Sequence, residues 1–560
     1  MPNLEGMNKH KEQKDMTIRN ITTLRQDPVL SFAEDQLRTH VKGMSEQQFV
    51  IATWQDCQER LSPVMQIHWP WLDHGSLSYD GDAYTIISHH QTIILTGHNE
   101  RSTLYAVYHY LKSSEGLEWI YPGEQAVQTA KASDIHSTDF GIIQPEFKRR
   151  GFVYENLKDE AYLIDVVDWL AKNRINELFM TFPLWNHVRD SLEPEMMKRG
   201  ISLTLGGHSM KFFTESLHNL GMNQHADLPA FLGKKQLDYT NQEWQQSVID
   251  DITAYCEHTK VITRLSLWPE DTGVTNTEDH PFIAQYIAFT ERLQQSLRDK
   301  GLTIDVEHIA YNAGLSWNMI EIPSGMNTSS SIDTLFAYWG RDYSQGLASC
   351  ERAEEQRAYK SLQQWVEQTQ QQKKELTIFE YYSDHYMLSY LFPNLPHQIS
   401  EDLLHYRELG ITSIVNLVVP YPQAKDSSTW KWAQGFNSYV FARSAWGDPL
   451  EDILTDYWYY YSESERDIVQ ELMISTEKLV APITSFNVPL FPLRVVDQGD
   501  SSPETAQAII SVLERISNYL RTHLTRLHNG GTHESNPSID YLQGLYNSST
   551  SILEVWKNKI

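Results

Sequence analysis

Cysteine is scarce in this sequence. Cys57, Cys256 and Cys350 are the only three in 560 residues, far apart and without a C-x-x-C pair. An odd, scattered set excludes a disulfide framework and offers no structural zinc site, so reduced thiols are expected. Long apolar runs are missing too, and a membrane-spanning helix needs about 18 or more such residues. The opening MPNLEGMNKHKEQKDM lacks the apolar core of a secretory signal, which makes the cytoplasm the expected location. Basic residues are outnumbered 46 to 73, for a net charge of −27. Such a surface repels phosphate backbones and anionic bilayers, so neither nucleic acid nor membrane is an expected partner. Also lacking are G-x-S-x-G, H-E-x-x-H and a glycine-rich phosphate loop, which removes the serine-hydrolase elbow, the zincin site and the nucleotide cradle. No cofactor or metal is expected. Asp384–His385 is the nearest approach to a ligand pair, and no second spaced pair accompanies it.

Aromatic residues, by contrast, are plentiful: 16 Trp, 29 Tyr and 19 Phe. Most belong in a core, but the same density suits sugar-binding clefts, because pyranose rings present apolar C–H faces to aromatic rings. The length predicts two or three domains. Residues 1–16 read as a solvated tail and 17–140 as a small α/β domain. That domain has a strand over 47–53, two strands within 83–97, and a helix over 98–115. Leu104, Val107, Tyr108 and Leu111 form one stripe of this helix, and Gly116 stops it.

From 145 onwards short apolar runs alternate with helical stretches. The strands are RRGFVYE (149–155), ELFMTF (177–182), SLTLGGH (202–208), VITRLSLW (261–268), DVEHIAY (305–311), TLFAYWG (334–340), LTIFEYY (376–382) and SIVNLVV (413–419). Eight strands alternating with helices predict an α/β fold, a (β/α)8 TIM barrel over 145–425, followed by an α-helical domain over 426–560. In that last region DYWYYYSE (456–463) carries more aromatic surface than one helix buries against one core, which predicts a homodimer through the C-terminal helices.

In such a barrel the C-terminal strand ends carry the chemistry. Those ends supply Arg150 and Glu155, His208, Trp268 with Glu270 and Asp271, Tyr311 with Asn312, Trp339 with Arg341 and Asp342, Glu380 with Tyr381 and Asp384, and Asn416 with Tyr421. Carboxylates on separate strands facing aromatics are what glycosidic cleavage requires. One carboxylic acid protonates the leaving oxygen, and another carboxylate activates water or attacks the anomeric carbon. The expected substrate is therefore a glycoside or short oligosaccharide. Arg150, His208, Trp268, Tyr311, Asn312, Trp339, Arg341 and Tyr381 are its candidate binding residues.

These residues also carry a resemblance. TIILTGHNERSTLYAVYHYLKSSEGLEWIYPG (92–123) resembles the small domain that precedes the barrel in family 67 α-glucuronidases and family 20 β-hexosaminidases. PEFKRRGFVYE (145–155) is similar to the family 20 first strand, whose sugar-binding arginine carries to Arg150. A bacterial group of the same architecture is similar at Gly206-Gly207-His208, Pro269-Glu270-Asp271 and Ala310-Tyr311. By resemblance to family 67, a catalytic acid follows strand four, which selects Glu270, or Asp271 by the bacterial group. Base residues follow strands six and seven, which selects Asp342 and Glu380. The resemblance implies removal of a terminal sugar, a uronic acid among the options. Family 20 has an Asp-Glu pair where this chain has Glu270-Asp271. A retaining N-acetylhexosaminidase-like enzyme and a catalytically inactive carbohydrate-binding barrel are the alternatives; the latter would have its acids tied into salt bridges.

Overall fold

A computed structural model describes residues 21–41, 48–61, 81–89, 91–129, 141–210, 212–213, 239–269, 281–312, 317–384, 391, 393–419, 429–486, 502–529 and 537–558. The chain forms two compact units. One comprises Met1–Trp119, Glu124–Lys148 and Met197–Gly200; the other comprises Ile120–Gly123, Arg149–Met196 and Ile201–Ile560.

The first unit is built on a four-stranded sheet in the order β1-β2-β4-β3, with β1 (Ile21–Thr23), β2 (Gln48–Thr53), β3 (Tyr84–His89) and β4 (Thr92–Gly97). β2 is parallel to β1 and β4, and β3 turns back antiparallel on β4. The helix Glu100–Glu115 starts where Asn99 accepts the Ser102 backbone N–H at 2.8 Å. It ends at Gly116, whose φ of 67 is the left-handed conformation that glycine enters without a Cβ penalty. Two short strands, β5 (Leu117–Glu118) and β6 (Val127–Gln128), pair beyond it.

The second unit contains a closed, all-parallel barrel. Its strands are β7 (Arg149–Tyr154), β8 (Glu177–Thr181), β9 (Ser202–Gly207), β10 (Ile262–Leu267), β11 (Asp305–Tyr311), β12 (Asp333–Ala337), β13 (Leu376–Asp384) and β14 (Ser413–Val419), and β14 pairs with β7 to close it. All eight fall on the apolar runs of the sequence. Strands covered on both faces are buried along their length, as β8 and β13 are at every residue. Helices pack outside them; Asp159, for example, accepts the Tyr162 N–H at 3.0 Å and starts Glu160–Lys172. No helix among the described residues is long and apolar enough to cross a membrane.

Alternation along each strand divides side chains between the bore and the helix layer. At the N-terminal end of the bore Arg149 donates to Glu177 at 2.8 Å and to Glu307 at 2.6 Å, and Arg264 donates to Asp333 at 2.7 Å and Glu375 at 3.0 Å. That ionic layer closes the bottom of the barrel. The helices Thr429–Trp446, Leu450–Trp458, Glu463–Val480, Pro503–Asn529 and Pro537–Lys557 belong to the same compact unit as the barrel. Tyr457, Trp458 and Tyr461 are buried among Phe436, Tyr439 and Tyr121. The rings that prompted the expectation of a homodimer thus serve mainly the unit's own core.

Candidate active site

The C-terminal end of the bore is lined by aromatic rings. Trp268 follows β10 and meets Phe179 of β8, Phe379 of β13 and His208, which follows β9, edge-on, each with ring centroids 5.3 Å apart. Tyr381 stands 4.9 Å from Phe379, and Tyr311 stands 6.0 Å from His208. Edge-to-face packing of this kind adds roughly 0.5–1.5 kcal/mol per pair beyond area burial and fixes the rings. Trp268 is 4% exposed and donates from Nε1 to Ser266 at 3.0 Å, so it forms the floor of the mouth.

His208 and Tyr311 converge on one atom. The Pro269 carbonyl accepts from His208 Nδ1 at 2.6 Å and from the Tyr311 hydroxyl at 3.3 Å. A carbonyl can only accept, so it is Nδ1 that donates in this contact. The two glycines ahead of His208 have separate causes. A Cβ on Gly206 would stand 1.7 Å from the Ser266 carbonyl oxygen, so the strands could not approach. Gly207 has a φ of +71, and a Cβ there would lie 3.3 Å from Glu155 Oε1. The Glu155 backbone is tied to β8 by the Thr181 hydroxyl at 3.0 Å. Glu155, a strand-end residue given no role from the sequence, thus brings a carboxylate beside Gly207.

Other candidates are turned elsewhere. Glu270 and Asp271 lie outside the described residues, as do His385 and Tyr421. Arg150 is fully buried on the outer face of β7, near the end opposite the mouth. It donates from Nε to the Arg174 carbonyl at 2.9 Å, with its guanidinium 4.9 Å from the centre of the Trp446 ring. Arg150, expected at the mouth as a sugar ligand, is turned by strand register to the outer face, and it is Arg149 that enters the bore. Glu380 also faces the helix layer. Its Oε1 accepts from Arg341 at 2.8 Å and from the Tyr406 hydroxyl, and its Oε2 accepts from the Tyr343 hydroxyl at 2.8 Å. Arg341 completes its pairing at Asp402, 2.6 Å away, so its cation is spent within the protein. Burial raises the Glu380 carboxyl above its usual range, opposed by Arg341 and assisted by Asp402.

Asp342 is a turn residue. It accepts from the Ser344 N–H at 2.9 Å and hydroxyl at 2.6 Å, and Arg352 lies 3.5 Å away. Its own N–H donates to Glu355 at 3.1 Å. Burial pushes the Glu355 carboxyl up to about 7. Glu355 carries no signal of its own in the sequence, because a glutamate in the first turn of the helix Ala353–Gln372 reads as an ordinary dipole partner. Asn312 spends both ends of its amide on the backbone of Trp339. Asp384 ends β13 and is buried. Among the described residues no group of three His, Cys, Asp or Glu side chains could hold a metal ion.

The class the fold defines is a TIM barrel preceded by a small α/β unit and followed by helices. No family model and no curated protein sequence matches the chain. Solved structures are similar in fold. A GH138 enzyme targeting pectin rhamnogalacturonan II matches at TM-score 0.59 and 11% identity, over 96% of this chain and 68% of that one. The GH115 4-O-methyl-α-glucuronidase BtGH115A, with specificity for decorated arabinogalactans, matches at TM-score 0.57 and 13% identity, over 96% of this chain and 73% of that one. CpGH84B matches at 0.52 and 11%, over 97% and 86%. At these identities the likeness is one of fold.

Proposed function

We propose that this protein is a glycoside hydrolase acting at the C-terminal mouth of its barrel, removing a terminal sugar from a short oligosaccharide or glycoside. The observation that carries the proposal is the aromatic mouth itself, with His208, Tyr311, Trp268 and Tyr381 gathered from four strands around the bore axis. Stacking surfaces with a few fixed polar atoms suit pyranose rings. The fold likeness to glycoside hydrolases adds support. Glu270 or Asp271, which directly follow the doubly anchored Pro269, are the proposed general acid. Glu155, whose carboxylate lies beside Gly207, is the proposed second carboxylate, since Glu380 faces the helix layer. A terminal uronic acid remains the finer proposal. It draws on the fold likeness to the GH115 glucuronidase, and Arg341 does not serve it, being already neutralised by Glu380 and Asp402.

The engagement of Glu380 and Asp342 favours one alternative, a barrel that binds carbohydrate without cleaving it. A panel of aryl glycosides, glucuronides included, separates the two. The first reading expects aglycone release from at least one member, with the anomer of the product followed by proton NMR. Sugar-dependent changes in tryptophan fluorescence with no release from any member would favour the binding barrel.

A further inference from the structure

We infer that Asn312 is a positioning residue that sets Trp339 as a sugar-stacking platform on the rim of the mouth; the inference rests on the carbohydrate reading of that mouth. β11 and β12 pair backbone to backbone as far as Tyr311 and Ala337. Beyond that pair a side chain takes over the ladder. Asn312 Nδ2 donates to the Trp339 carbonyl at 2.8 Å, and its Oδ1 accepts the Trp339 N–H at 2.8 Å. Two bonds in opposite senses from one planar, buried amide fix both the position and the tilt of the Trp339 backbone.

The segment is held equally firmly on its far side. Arg341 is bound to Glu380 and Asp402, and the Asp342 N–H is bound to Glu355. Gly340 lies between the two clamps with a φ of +87, and a Cβ there would meet nothing within 4 Å. Glycine is therefore required by conformation and not by space. It lets the chain turn between Trp339 and Arg341.

Trp339 follows the C-terminal end of β12, the end that opens on the mouth. Trp339 is half-buried, unlike the floor residue Trp268. A ring sealed in the core cannot stack on a ligand. A half-buried ring on a fixed backbone can, and it loses less freedom on binding than a ring on a mobile loop.

The test uses the full chain labelled with 5-fluorotryptophan, with the 19F line of Trp339 identified by its loss in Trp339→Phe. D-Glucuronic acid and N-acetyl-D-glucosamine are the probes. In wild type the expected line is single and narrow, and one of the sugars shifts it. In Asn312→Ala it broadens or splits before any sugar is added, and half-saturation rises about tenfold, the size of one stacking contact. Asn312→Asp keeps the acceptor for the Trp339 N–H and loses the donor to its carbonyl. It covers the case in which the alanine variant fails to fold, and the same change in the line is expected. An unchanged line in a folded Asn312 variant overturns the positioning role. A disturbed line that neither sugar shifts in wild type overturns the platform. If the glycoside panel is nonetheless cleaved, the hydrolase reading survives that failure; if nothing is cleaved and no tryptophan line responds, both fall.

Discussion

The two ends of the barrel solve opposite problems. At the bottom Arg149 and Arg264 enter the bore, and Glu177, Glu307, Asp333 and Glu375 meet them there, so every charge has a partner inside the wall. Burial works against the Arg149 cation, and Glu177 and Glu307 more than restore it. At the mouth the bore is lined instead by Trp268, Phe379, Tyr381 and Tyr311, and the polar atoms are few and aimed, as at the Pro269 carbonyl. A saturated ionic layer holds the barrel closed and has nothing left to offer a ligand. An aromatic mouth with a few oriented polar groups can take one up. Conserving charge pairs at one end and leaving surface at the other is how a rigid scaffold supports a site.

The largest effect should come from breaking the bottom. Arg149→Met leaves Glu177 and Glu307 buried without their main cation, and a stability loss of about 3–5 kcal/mol is expected. Urea denaturation measures it; a loss below about 1 kcal/mol would mean that the layer is dispensable and the contrast between the ends false.

A second test concerns the wall between the ends. His308 lies on the outer face of β11, against Tyr286 and Trp365, without a well-formed hydrogen bond at either ring nitrogen. Burial pushes its pKa down to about 4 from 6.5, the Asp333 backbone offsetting part of the effect. A depressed folded-state pKa means that the unfolded chain takes up the proton first. The stability is full above about pH 6.5 and is lost as the pH falls towards 4, by roughly 3 kcal/mol at the lower limit. His308→Leu should lack that share of the acid sensitivity. Equal drops in the urea midpoint between pH 7 and pH 4.5 for wild type and variant would contradict it.

The strands were legible because each is a short run of β-branched and aromatic residues with both faces covered. Side-chain direction was harder. RRG at 149–151 offers two arginines, and only the pairing of Arg149 with Ser413 across the closing strands decides which one enters the bore. A residue of slip exchanges every side chain between bore and helices. For Glu380 a signal was present: in FEYY, Phe379 and Tyr381 meet at the mouth, so the residue between them must point away. Arg341 follows a positive-φ glycine whose turn no periodicity reveals. Glu355 and Asp402 stand on two separate helices, and only the packed fold brings them to Asp342 and Arg341.

The central claim is that chemistry belongs to the mouth and that Glu380 belongs to the wall. It is tested most directly by measuring kcat and melting temperature together for Glu380→Gln, Glu270→Gln and Asp271→Asn, on whichever aryl glycoside the panel identifies. The account predicts that at least one strand-four variant loses about 10²–10⁴-fold in kcat with its melting temperature unchanged. Glu380→Gln should instead lose about 1–3 kcal/mol of stability, since Arg341 keeps one carboxylate where it had two, and retain its turnover per folded molecule. A Glu380→Gln enzyme that melts like wild type and has lost kcat by that factor would contradict the account.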